Sequence, residues 1–153
     1  MNTQKIMAVL AVGLLAAWPA SGAEMDAKQV TIAAKALGFV TPKAPAGAKV
    51  VVTPGAAPVA AVQSALSAAS VAAGDAGGAA GAFAVFVASA DEAKKANGKG
   101  TVTVGNDVAC VDAGACVIAV ETTPKVTIYV SKAAASAAGV DFDPNFKMMI
   151  TEK

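Results

Sequence analysis

The chain has no histidine, no arginine, one tryptophan, one tyrosine and two cysteines in 153 residues. Each scarcity excludes a class of chemistry. Without histidine, a Ser-His-Asp or Cys-His relay cannot be assembled, and the side chain that moves protons most readily near neutral pH is missing. Without arginine there is no planar, bidentate clamp for phosphate or carboxylate. Two cysteines with no histidine make a poor zinc site. No G-x-S-x-G elbow occurs. Glu24, Asp26, Asp141 and Asp143 are candidates for holding a hard cation, but they lack the spacing of a calcium loop and read as solvated charge. The expectation is a protein that is not an enzyme and carries no cofactor and no metal.

What is present at the start reads as an export signal. A short polar segment with Lys5 precedes an apolar run over residues 6–18, suited to a signal core and short for a membrane span. Pro19 follows, and Ser21-Gly22-Ala23 places small residues where a signal peptidase reads them. Cleavage before Glu24 divides the chain into a signal peptide, residues 1–23, and one domain, residues 24–153. The mature chain would have no membrane insertion of its own. Removing Lys5 from the twelve basic residues leaves a formally neutral mature chain. Such a chain lacks the basic footprint of a nucleic-acid binder and the polybasic patch of a lipid-surface binder.

Hydrophobic periodicity gives the element order. Val30, Ala33, Ala34 and Leu37 form a helical stripe that Gly38 stops. After a proline-rich link, Lys49-Val50-Val51-Val52-Thr53 reads as a strand buried on both faces. Pro54-Gly55 turns the chain, and Val59, Val62, Leu66 and Ala69 give a second helical stripe. A glycine-rich connection over residues 74–81 leads to a strand at Phe83-Ala84-Val85-Phe86-Val87. This connection fails as a phosphate loop, because it is expected to leave a helix and enter a strand rather than the reverse. Ser89 and Glu92 are spaced as a capping box for a short helix ending near Asn97-Gly98. Thr101-Val102-Thr103-Val104 is a third strand. Residues 116–121 and 125–130 are two more, joined too closely for a parallel crossover and so antiparallel. Ser131 caps an alanine-rich helix stopped by Gly139, and Asp143-Pro144 opens a last helical turn. The pattern is α/β: a three-layer sandwich with a mixed, mostly parallel sheet ending in an antiparallel pair.

Two places invite a function. In an open parallel sheet, ligands bind beyond the carboxyl ends of the strands. That rim would be Thr53 and Gly55, Ser89, Asn106 and Asp107, residues that turns and caps also favour. The other place is Cys110 and Cys116, flanking an Asp112-Ala113-Gly114 turn. An exported protein with this single pair is expected to form a structural disulfide pinning a hairpin. A reversible redox switch, and free thiols or metal ligation, are the alternative readings.

The C-terminal half resembles the YfiR family of periplasmic proteins. The resemblance rests on Cys110-Val111-Asp112-Ala113-Gly114-Ala115-Cys116-Val117, on Lys125-Val126-Thr127-Ile128-Tyr129-Val130, and on Ala133-Ala134 with Ala138-Gly139-Val140-Asp141-Phe142. Lys35-Ala36-Leu37-Gly38-Phe39-Val40-Thr41-Pro42 is similar to that family's opening helix, with Thr41 where the family has Trp. Ser131 stands where it has Asn, and Met148-Met149 where it has a Leu pair. The resemblance implies a Rossmann-like sandwich, a homodimer in many members, and periplasmic control of a membrane-bound diguanylate cyclase. It also implies a disulfide tied to stability and redox response. The expected function is therefore that of a non-catalytic periplasmic regulatory or interaction protein modulating an inner-membrane signalling protein, of cyclase or kinase type. Phe39, Phe142, Phe146 and Met149 are the candidate partner surface. The alternative is a single-lobe periplasmic binder of a small solute, using the rim.

Overall fold

The computed structural model describes residues 24–153; the expected signal peptide lies outside the described residues. The first helix, α1 (Ala27–Leu37), starts at a capping box in which Asp26 accepts from the Gln29 backbone and the Gln29 side chain accepts from Asp26 N–H. The chain continues through β1 (Val40–Thr41), β2 (Lys49–Val52), α2 (Val59–Ala65), β3 (Ser70–Ala73), a 3₁₀ turn at Ala76–Gly78, β4 (Ala84–Phe86), α3 (Ala90–Ala96) and β5 (Val102–Gly105). It ends with α4 (Val108–Asp112), β6 (Ile118–Glu121), β7 (Thr127–Val130), α5 (Lys132–Ala138), β8 (Asp141–Phe142), α6 (Pro144–Lys147) and β9 (Thr151–Glu152).

Seven strands form one sheet in the order β3-β2-β4-β5-β6-β7-β9. The first five of these pair in parallel, β7 runs antiparallel to β6, and β9 returns parallel to β7. Numbered along the chain, the five parallel strands stand in the order 2-1-3-4-5, the doubly wound arrangement whose direction reverses at its first strand. That reversal places helices on both faces. Val50, Val52, Ala84, Phe86, Val102, Val104, Ile118 and Val120 pack with α1, α2, α5 and α6, whereas Val51, Val85 and Ala119 pack with the 3₁₀ turn, α3 and α4. The period of two along each central strand, apolar on both faces, explains the unbroken Val-rich runs. Alanines, among them Ala33, Ala36, Ala93, Ala134 and Ala135, supply much of the helix surface buried in the two core layers. The α/β sandwich expected from the sequence is the fold observed.

Three expectations are corrected. The second helical stripe does not continue through Ala69: α2 ends at Ala65, and β3 follows as the outer strand, held by Ser70 N–H to Ala48 O and Gly74 N–H to Val52 O. The glycine-rich connection therefore leaves a strand, not a helix. The cysteines do not pin a hairpin either. Cys110 lies on α4 and Cys116 just before β6, because joining the parallel strands β5 and β6 requires a crossover element. Beyond the main sheet, a small second sheet pairs β1 with β8, tying the end of α1 to the segment before α6.

Candidate functional site

The direction reversal falls between β2 and β4, so their carboxyl ends are where this architecture ordinarily opens a ligand crevice. Here the crevice is filled by the chain itself. Ser89 caps α3, its hydroxyl accepting from Glu92 N–H at 3.3 Å. The Glu92 carboxylate does not return to Ser89 as a capping box requires. It accepts from the Thr53 hydroxyl at 2.5 Å and from Ala88 N–H at 2.9 Å. Thr53 is buried beneath it. Gly55 occupies the exposed turn beyond, at φ +79°, a left-handed conformation that glycine adopts without strain.

The open space lies one strand further along, between the ends of β4 and β5. A cleft of about 140 Å³ is lined by residues that include Ser89, Gly105, Asn106, Asp107 and Cys110. Three of the five rim residues, Ser89, Asn106 and Asp107, thus meet, while Thr53 and Gly55 stand apart. Two of those three are already engaged: Ser89 as above, and Asp107 by accepting Ala109 N–H at 2.8 Å at the start of α4. The cleft is small beside the roughly 300–1,000 Å³ of small-molecule sites.

Cys110 and Cys116 stand at disulfide distance, with Cα atoms 5.2 Å apart, and Cys110 lines this cleft. Their bridge fastens α4 to the strand that follows it. The buried Thr103 completes the clamp: its hydroxyl donates to Ala115 O at 3.2 Å and accepts from Val117 N–H at 3.0 Å. Gly105 is what lets the bridge sit against β5, since a Cβ there would lie 2.9 Å from Cys116 Sγ.

The candidate partner residues separate by depth. Phe142 and Phe146 belong to the core, with Phe146 only 2% exposed, and so are corrected from surface to interior. Phe39 stacks on Phe146 with ring centroids 4.9 Å apart and planes 9° off parallel, yet keeps 39% exposure. Met149 is 65% exposed, and Met148, which the sequence reading did not single out as surface, is 79% exposed. Two consecutive methionines cannot both face the interior of a helical turn this short, and that spacing was the available signal.

Of the four carboxylates considered for a cation, Glu24 is exposed and the other three are used locally. Asp26 caps α1 and Asp143 caps α6. Asp141 pairs with Lys147 at 2.6 Å. The Lys147 ammonium and Phe142 N–H hold the Asp141 carboxyl below the usual range, and the same pair holds Lys147 above its ordinary value.

No protein-family model matches the chain, and no curated protein matches it. A bonded cysteine pair is compatible with an oxidising, extracytoplasmic compartment. Among the described residues, no helix is long and apolar enough to cross a membrane.

Proposed function

We propose that the protein is a non-catalytic regulator of the periplasm that binds the outer region of an inner-membrane signalling protein, of diguanylate cyclase or kinase type, and changes its output. The observation that carries this reading is the exposure of three large apolar side chains, Phe39, which stacks on Phe146, and Met148 and Met149, which follow Phe146 closely in the chain. Exposed methionines are adaptable contact residues. Phe39 is held by its stack on the buried Phe146 and by the adjoining β1–β8 pairing, so little order would have to be gained on binding. The similarity to the YfiR family around residues 110–150 supports the class of partner. In this reading the regulator favours one conformational state of its target by binding that state more tightly.

A photoreactive residue at Met149 tests it in intact cells. Expected is crosslinking to an inner-membrane protein that carries a cytoplasmic cyclase or kinase domain, lost in a Phe39→Lys/Met148→Lys variant of unchanged circular dichroism. Crosslinking only to soluble proteins would overturn the reading. The second reading, a single-lobe solute binder, is favoured only by the cleft between β4 and β5. It predicts a melting temperature that rises with ligand and is insensitive to Met149.

A further inference from the structure

At the amino ends of the parallel strands, opposite the rim, two clefts meet at the proline-rich link. One, of about 210 Å³, is lined by apolar residues including Leu37, Val50, Leu66 and Phe83. The other, of about 360 Å³, is edged by Lys43, Lys49 and Lys99. Lys43 and Phe83 line both, so the two clefts adjoin: an apolar trough beside a basic-edged one. No aspartate or glutamate lines either cleft. Among the described residues the three lysines form no ion pair, and Lys49 Nζ donates to Gly78 O at 3.4 Å. All three are exposed.

We propose that these adjoining clefts bind a free, medium-chain fatty acid, its acyl tail in the trough and its carboxylate at the lysines. The charge pattern selects the head. Three lysines on one cleft edge with no carboxylate among the lining residues favour an anion, and without an arginine fork they do so as point charges rather than as a bidentate phosphate clamp. The lining selects the tail, because the accessible Ala44, Leu66, Ala69 and Phe83 side chains offer only apolar contact, over the buried Leu37 and Val50. The residues lining this site include none of Phe39, Met148 and Met149 and none of those lining the cleft beside the disulfide.

Calorimetry with hexanoate, octanoate and decanoate, each below its micelle concentration, tests the proposal on the purified protein. Expected is saturable binding that tightens roughly fourfold per added methylene until the trough is full. A Lys43→Gln/Lys99→Gln variant should bind decanoate about tenfold more weakly and decanol unchanged. Ala44→Trp, at an exposed position on the trough wall, should block both. Both variants alter exposed residues, so an unchanged melting temperature is the check that they fold. Absence of saturable decanoate binding would overturn the proposal. So would binding that survives both variants, or uptake onto anionic vesicles in preference to the monomeric acid.

Discussion

Gly105 carries the packing of the disulfide. A methyl group there would stand 2.9 Å from Cys116 Sγ and 3.6 Å from Cys110 Cβ. A sulfur at the free end of a flexible side chain would swing away at little cost, but in the bridge it cannot. Gly105→Ala is therefore expected to destabilise the oxidised protein by about 1–3 kcal/mol, the range for overpacking a filled core. With the bridge reduced, Cys116 can rotate and the penalty should shrink. Urea denaturation of wild type and variant, with and without dithiothreitol, measures both; an equal loss under the two conditions would show that the clash is with something other than the bonded sulfur. The role of Gly105 was not legible in the sequence, because it depends on where a distant turn places a sulfur atom. Glu92 was half legible. Its spacing from Ser89 announced a cap, but nothing local indicates that its carboxylate bonds Thr53, brought beside it only by the pairing of β2 with β4.

Elements were legible where local signals and tertiary demand agree. Asp143-Pro144 opens α6, and Gly139 at φ +68° ends α5, as the residues announce. They were misread where the two conflict. In β3 the residues are Ser70, Val71, Ala72 and Ala73, with one β-branched side chain among them, and the stripe from Val59 to Ala69 fits a helix. The strand forms because β2 offers its edge. In α4 the N-cap Asp107 was an available signal, outweighed by the turn character of Asp112-Ala113-Gly114. The contact between β8 and α6 gives a pH prediction. The folded-state pKa of Asp141 is lowered by Lys147 and by Phe142 N–H, so its stabilising contribution is present above the ordinary aspartate range and is lost as the pH falls through the lowered value. Lys147 is raised, so its contribution is present below the ordinary lysine range and is lost as the pH rises through the raised value. Both groups are exposed, and the effect is small. Asp141→Asn should flatten the acid limb and the alkaline limb together in a plot of melting temperature against pH. Flattening of only one limb would separate the two groups and refute the pairing.

At the scale of the whole molecule, the sheet has two ends, and they are protected differently. The β9 end is two residues long and charged, with Lys132 paired to Glu152 at 2.9 Å and Lys153 to Asp112 at 3.2 Å. Short, charged edges resist strand addition. The β3 end has no such charge, since residues 64–74 contain no ionisable side chain. Its protection is Gln63 on α2. The Gln63 Oε1 accepts from Val71 N–H at 3.3 Å, while its Nε2 donates to Ala69 O at 3.1 Å and to Leu66 O at 3.4 Å. The side-chain amide thus satisfies edge groups that would otherwise recruit a neighbouring strand. Gln63→Ala would free Val71 N–H and Ala69 C=O on an uncharged edge that meets a second copy without repulsion. The stability loss should be modest, about 1 kcal/mol for part-exposed hydrogen bonds. The larger effect should be on assembly: sedimentation velocity should show a concentration-dependent rise in mass relative to the native protein. Adding Ala72→Lys, which places a charge on β3, should return the mass to its starting value. A Gln63→Ala protein with unchanged mass across the same concentrations would show that the β3 edge is blocked by something other than this amide.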